Sequence, residues 1–318
     1  MVKNKEAFNI DQNMKKVLLF LLLLVSYPVS GICQEDGFIK IQDGVIHYMK
    51  FGAGDPLLII NGGPGLDCKG FIPLAKLFSD KYMTILFDQR GTGKSMLNIV
   101  DSTNVTMELM AHDIETIRKY FNIKRWIILG HSFGGFMAEY YAVYYPEPIK
   151  AMILSSTGGL DLRILDYFNA NLQMRLSQAE RDSLQYWDNR LEQGDTTYQA
   201  SYNKGKYLAS AYLYNKEYVP KLAQRLAFGG NNQITGLVYK DLFKIKFDCK
   251  ETLKNFTRPV LIIQGRQDIT GDGVAYEVHM TLKNSTIVFI NKSCHYSWWE
   301  QSEQYKSEVE KFISASNK

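Results

Sequence analysis

Ser132 sits in the stretch Gly130-His131-Ser132-Phe133-Gly134, with a glycine two residues away on either side. A serine hydroxyl is a weak nucleophile. It attacks a carbonyl only when a neighbouring base takes its proton and a carboxylate orients that base. The run "WIILG" before the motif reads as a strand, and "FMAEYYA" after it carries helical spacing. A strand that bends into a helix within two or three residues needs small residues at the bend and leaves the central side chain exposed. Ser132 is therefore the expected nucleophile; the plainer reading is a glycine-rich turn that only closes a strand onto its helix.

Two histidines follow Ser132 in the chain, His279 and His295. His279 falls inside a helical pattern over 274–283, whereas His295 lies in a loop after the last strand-like run, so His295 is the expected base. The expected acid is Asp268, three residues beyond Gly265 at the end of "RPVLIIQG", with Asp272 as its rival. Serine, acid, histidine is the chain order that belongs to a strand-turn-helix nucleophile. The oxyanion of a tetrahedral intermediate needs preorganised N–H donors. Those expected are the backbone amides of Phe133 and of Gly63, the latter in "NGGPG" at 61–65.

Elements must hold these groups in place. "FIKI" and "VIHYMKF" flank Asp43-Gly44, a hairpin signal. Six further runs, beginning at 56, 82, 125, 151, 258 and 285, are nearly continuous in apolar residues, as strands covered on both faces are. Helical spacing fills 71–80, 106–121, 134–146, 274–283 and 302–314. The predicted fold is α/β, with a mostly parallel central sheet and helices on both faces. Strand signals stop between 159 and 255, where polar and aromatic helical segments predict a helical insertion. The expected division is thus 34–158 and 256–318 for the core and 159–255 for the insertion.

Residues 14–35, "MKKVLLFLLLLVSYPVSGICQE", show two lysines, a short apolar run and then small residues. This is a secretory signal layout, too short to remain as a membrane span. Residues 1–33 are expected to be the signal, with Met14 the true start and a secreted or periplasmic product. The alternative is a lipoprotein acylated at Cys33. The net charge of +4 falls to +2 without residues 1–33, which carry four lysines and two acids, so nucleic acid is not an expected partner. Cys68, Cys249 and Cys294 have no metal-ligand spacing, and no metal or organic cofactor is expected. A disulfide between Cys68 and Cys294 is one possibility, and both unpaired is the other.

These motifs resemble the α/β-hydrolase superfamily, and within it the proline iminopeptidase family with its tricorn-interacting aminopeptidase relatives. "NGGPG" looks like that family's His-Gly-Gly-Pro-Gly loop, with Asn61 in the place of its histidine, and "DQRGTGKS" at 88–95 is similar to its Asp-Gln-Arg-Gly-x-Gly-x-Ser segment. The resemblance implies an α/β-hydrolase fold with a helical cap. It also implies Ser132, Asp268 and His295 as triad, Gly63 and Phe133 as oxyanion donors, and a structural role for Asp88 and Arg90. It further implies carboxylates that hold a substrate's α-ammonium. The matching positions carry Gln233 in the cap and Ile269 after the acid, so Glu217 and Glu300 stand as substitutes, and Trp298 as a pocket residue. The implied activity is release of N-terminal residues, proline by resemblance, from small peptides or amides. An esterase or lactonase acting on a small neutral substrate is the alternative, and a non-catalytic binding protein the third reading.

Overall fold

The computed structural model describes residues 34–228 and 230–316. The signal, the start at Met14 and the lipoprotein site at Cys33 lie outside the described residues. Nine strands form one sheet: β1 (Gln34–Ile41), β2 (Gly44–Phe51), β3 (Asp55–Ile60), β4 (Tyr82–Phe87), β5 (Met96–Leu97), β6 (Trp126–His131), β7 (Ile149–Ser155), β8 (Val260–Gly265) and β9 (Ser285–Ile290). Their order is β1-β2-β4-β3-β6-β7-β8-β9, with β5 pairing on β2. The hairpin end is antiparallel, and every pair from β4 through β9 is parallel.

Successive side chains of a strand face opposite sides of its sheet, and both sides are buried here. Leu58, Ile60, Ile128 and Ile262 join one core with helices α2 (Met107–Tyr120), α3 (Phe133–Tyr144) and α10 (Asp272–Thr281). Leu57, Ile59, Ile127 and Leu261 join the other with α1 (Ile72–Phe78) and α12 (Ser302–Ser316). This double burial explains the unbroken apolar runs in the sequence.

Between β7 and β8 the chain is helical: α4 (Ile164–Met174), α5 (Gln178–Glu192), α6 (Tyr198–Tyr212), α7 (Val219–Phe228), α8 (Asn232–Lys244) and the short α9 (Lys250–Leu253). Helix α5 begins where its sequence says it should. Ser177 and Glu180 form a reciprocal capping box that satisfies two otherwise orphaned N–H groups. A last short helix, α11 (Ser297–Glu300), follows the His295 loop. Among the described residues no helix is long and apolar enough to cross a membrane.

Candidate active site

The chain runs from β3 to β4 on one side and returns to β6 on the other, so β3 and β6 flank a topological switch where open α/β sheets place their sites. Ser132 stands at the carboxyl end of β6 with φ 55° and ψ −119°, a left-handed conformation that costs a non-glycine residue energy. Packing enforces it. A Cβ on Gly130 would lie 2.2 Å from the Gly134 carbonyl oxygen, and one on Gly134 would lie 2.1 Å from the Ile60 oxygen. Only glycines let strand, bend and helix α3 approach this closely. Ser132 itself is half-buried.

Asp268 follows β8 and His295 follows β9. His295 Nδ1 and Asp268 Oδ1 are 2.9 Å apart, both side chains almost wholly buried. Oδ1 also accepts from the Thr270 N–H. Burial alone would raise the Asp268 carboxyl, but the adjacent His295 ring and the hydrogen bonds to the carboxylate together outweigh it and the net shift is downward. The His295 N–H donates to the carbonyl of Tyr212 at 3.1 Å. The rival Asp272 pairs with Arg266, and His279 contacts Ser285. Neither touches the site.

His131, beside Ser132, packs its ring 4.6 Å from that of His295 and 4.5 Å from that of Trp298. Both its ring nitrogens are buried without a partner among the described residues. Burial, then the neighbouring His295 and Arg225, pushes its pKa well below the ordinary value, so it is a neutral wall. Nothing in a single sequence distinguishes this residue from a variable position of the motif.

Phe133 is the first residue of α3, where helix geometry leaves its N–H unused by the helix. Gly63 lies in the 61–65 loop with φ 77°, in a turn closed by the Leu66 N–H on its carbonyl. Its predecessor Gly62 packs closely on Ser132: a Cβ on Gly62 would be 2.8 Å from Ser132 Cβ and 2.9 Å from His131 Cδ2. Asn61 Nδ2 donates to the Leu66 carbonyl at 3.1 Å, closing the same loop.

Asp88 and Arg90 serve structure, each with different partners. Asp88 accepts from the Cys68 and Lys94 backbone amides and contacts His47 Nδ1. Arg90 forks onto Asp113 and reaches Asp43. His47, Cys68 and Asp88 bring ligand-type atoms within 4.8 Å of one another, but both Asp88 oxygens are already spent on these hydrogen bonds. Cys68 and Cys294 are buried free thiols, so no disulfide joins them.

The four residues expected to touch substrate are scattered. Gln233 is exposed on α8 and donates to the Val100 carbonyl. Glu217 is exposed and accepts from Asn215. Trp298 is buried behind His131, against Phe71 and Tyr305. Glu300 is engaged by backbone: Oε1 accepts from Tyr214 and Asn215, and Oε2 from Cys294. Ile269, at the position of the second expected acid, is fully buried.

A strained serine on a strand-to-helix bend, with an Asp–His pair at two neighbouring strand ends, can support acyl transfer. The chain belongs to the alpha/beta hydrolase fold family, whose model matches residues 55–302. It is similar to a proline iminopeptidase of Heyndrickxia coagulans, 28% identical over 88% of this chain and 99% of that one. A proline iminopeptidase of Saccharolobus solfataricus is 27% identical over 88% and 92%. Among solved structures it is similar in fold to an alpha/beta fold family hydrolase of Bacillus anthracis, with a TM-score of 0.70 and 20% identity over 89% of this chain and 99% of that one. The protein is thus a hydrolase of this family.

Proposed function

We propose that the protein is a serine hydrolase acting through an acyl-enzyme, releasing N-terminal residues, proline by likeness to its relatives, from small peptides or amides. The observation that supports it is the buried hydrogen bond between His295 Nδ1 and Asp268 Oδ1, which fixes the ring's orientation and leaves Nε2 to serve as base. Ser132 Oγ attacks the carbonyl while Nε2 takes its proton. The oxyanion draws on the Phe133 and Gly63 N–H groups. The imidazolium then protonates the leaving amine, and water deacylates through the same base.

A second reading, a small ester, lactone or other neutral substrate, is favoured by one specific observation. An ammonium taken out of water needs an opposite charge. Yet Gln233 and Glu217 stand at the exposed surface, Ile269 is apolar, and the Glu300 carboxylate is saturated by three backbone amides.

Hydrolysis of proline 4-nitroanilide, its N-acetyl form and 4-nitrophenyl acetate, each beside Ser132→Ala, separates the readings. Cleavage of the free-amine anilide alone supports the aminopeptidase. Turnover of the ester alone supports the second reading, and undiminished activity in Ser132→Ala refutes both.

A further inference from the structure

A cleft of about 400 Å³ opens between the 3-10 turn Lys69–Phe71 and cap helix α7. Three cations, Lys69, Lys221 and Arg225, and one carboxylate, Asp67, line it, with Trp299 and Phe228 as apolar walls. Among the described residues neither lysine lies within ion-pairing distance of a carboxylate. Lys221 Nζ instead rests 4.4 Å from the centre of the Trp299 ring.

Arg225 is the informative residue. Its side chain is 8% exposed, a heavy desolvation for a permanent charge. One arm of its fork makes a long ion pair with Asp67 Oδ1, at 3.3 Å, the other donates to the Asp67 carbonyl at 3.0 Å, and its buried Nε has no partner among the described residues. Asp67 Oδ1 is shared with the Lys69 N–H. A buried guanidinium whose only ionic partner is one shared carboxylate oxygen, lining a cleft of net positive charge, keeps N–H capacity for a further acceptor, and a carboxylate suits it.

We infer that this cleft binds a small organic carboxylate with an apolar body. The aromatic walls take the body, and Arg225 with the two lysines takes the charge. Asp67 opposes a dianion, which selects a monoanionic carboxylate over phosphate. The volume suits a ligand of amino-acid to dipeptide size. The site is argued independently of the acyl-enzyme reading. It lies beside the catalytic centre, since Phe71 carries the guanidinium on one side and contacts the His131 ring at 5.4 Å.

Calorimetric titration of the protein with N-acetyl-L-leucine, N-acetyl-L-leucinamide and inorganic phosphate tests this without requiring turnover. The acid is expected to bind at least about tenfold more tightly than the uncharged amide, a preference that weakens as salt screens the lysines. Lys69→Ala and Lys221→Ala, both at exposed positions and safe for folding, should each weaken it by about threefold. Equal binding of acid and amide, tighter binding of phosphate, or indifference to both lysine changes overturns the inference. Competitive inhibition of ester hydrolysis by the acid supports a carboxylate borne by the substrate. Binding that leaves KM unchanged supports a separate acid in the same cleft.

Discussion

Glu300 Oε2 accepts the backbone N–H of Cys294 at 2.6 Å, one residue before His295, while its other oxygen accepts two cap amides at 2.7 Å each. One carboxylate thereby joins the His295 loop to the end of α6. Glu300→Gln would turn an amide NH2 toward backbone donors. The expected result is a kcat lower by about tenfold or more with KM little changed, because the base is displaced while binding surfaces remain. A fall in melting temperature with kcat intact would reduce Glu300 to a structural role.

Asp268→Asn keeps the volume of a fully buried side chain but leaves the His295 ring without its negative partner. If the triad reading holds, kcat drops by about 10⁴-fold while the fold persists by circular dichroism. Loss of less than about tenfold would point to another acid.

Two glycines make opposite cases. Gly62→Ala drives a Cβ to 2.8 Å from that of Ser132, and should cost activity by about a hundredfold or more together with stability. Gly236, exposed in the interior of α8, has nothing within 4 Å of an added Cβ. Gly236→Ala should stabilise by about 0.5–1 kcal/mol in urea denaturation with activity unchanged.

Glu139 is fully buried on α3; among the described residues its only side-chain partner is the Thr157 hydroxyl, and its second oxygen has none. Burial raises its pKa well above 4.5. The unfolded chain ionises there above about pH 4.5 while the folded chain keeps its proton, so N binds more protons than U and stability falls as pH rises. The slope is about 1.4 kcal/mol per pH unit up to the folded pKa. Glu139→Gln should remove that slope, and parallel stability curves for the two proteins between pH 5 and 8 would contradict it.

The positions of Ser132, Asp268 and His295 were legible because strands buried on both faces announce themselves, and parallel strands deliver loops to one sheet end. Strand β5 was not, since two residues paired to Gly44 and Val45 leave no periodicity. The close packing of Gly62 on Ser132 was also hidden: Gly62 and Gly63 are chemically alike, and only the folded loop, with its turn closing on Leu66, shows that a Cβ on Gly62 would strike Ser132. The polar cap residues were least readable. Glu300 meets Asn215 across 85 residues, and Arg225 meets Asp67 across 158, pairings decided by how the cap lies on the core.

The helical segment between β7 and β8 is fastened at both the 61–65 loop and the His295 loop. Thr235 Oγ1 donates to the Pro64 carbonyl at 2.6 Å and the Asn231 N–H to Gly65, while Tyr212 accepts from His295 and Glu300 spans the other side. A segment tied in this way cannot fray alone. Amide hydrogens of the 62–68 loop, the end of α6 and the 293–295 loop are therefore expected to belong to one cooperative opening unit and to exchange with solvent at a common free energy, so that the loops around Ser132 and His295 open together or not at all.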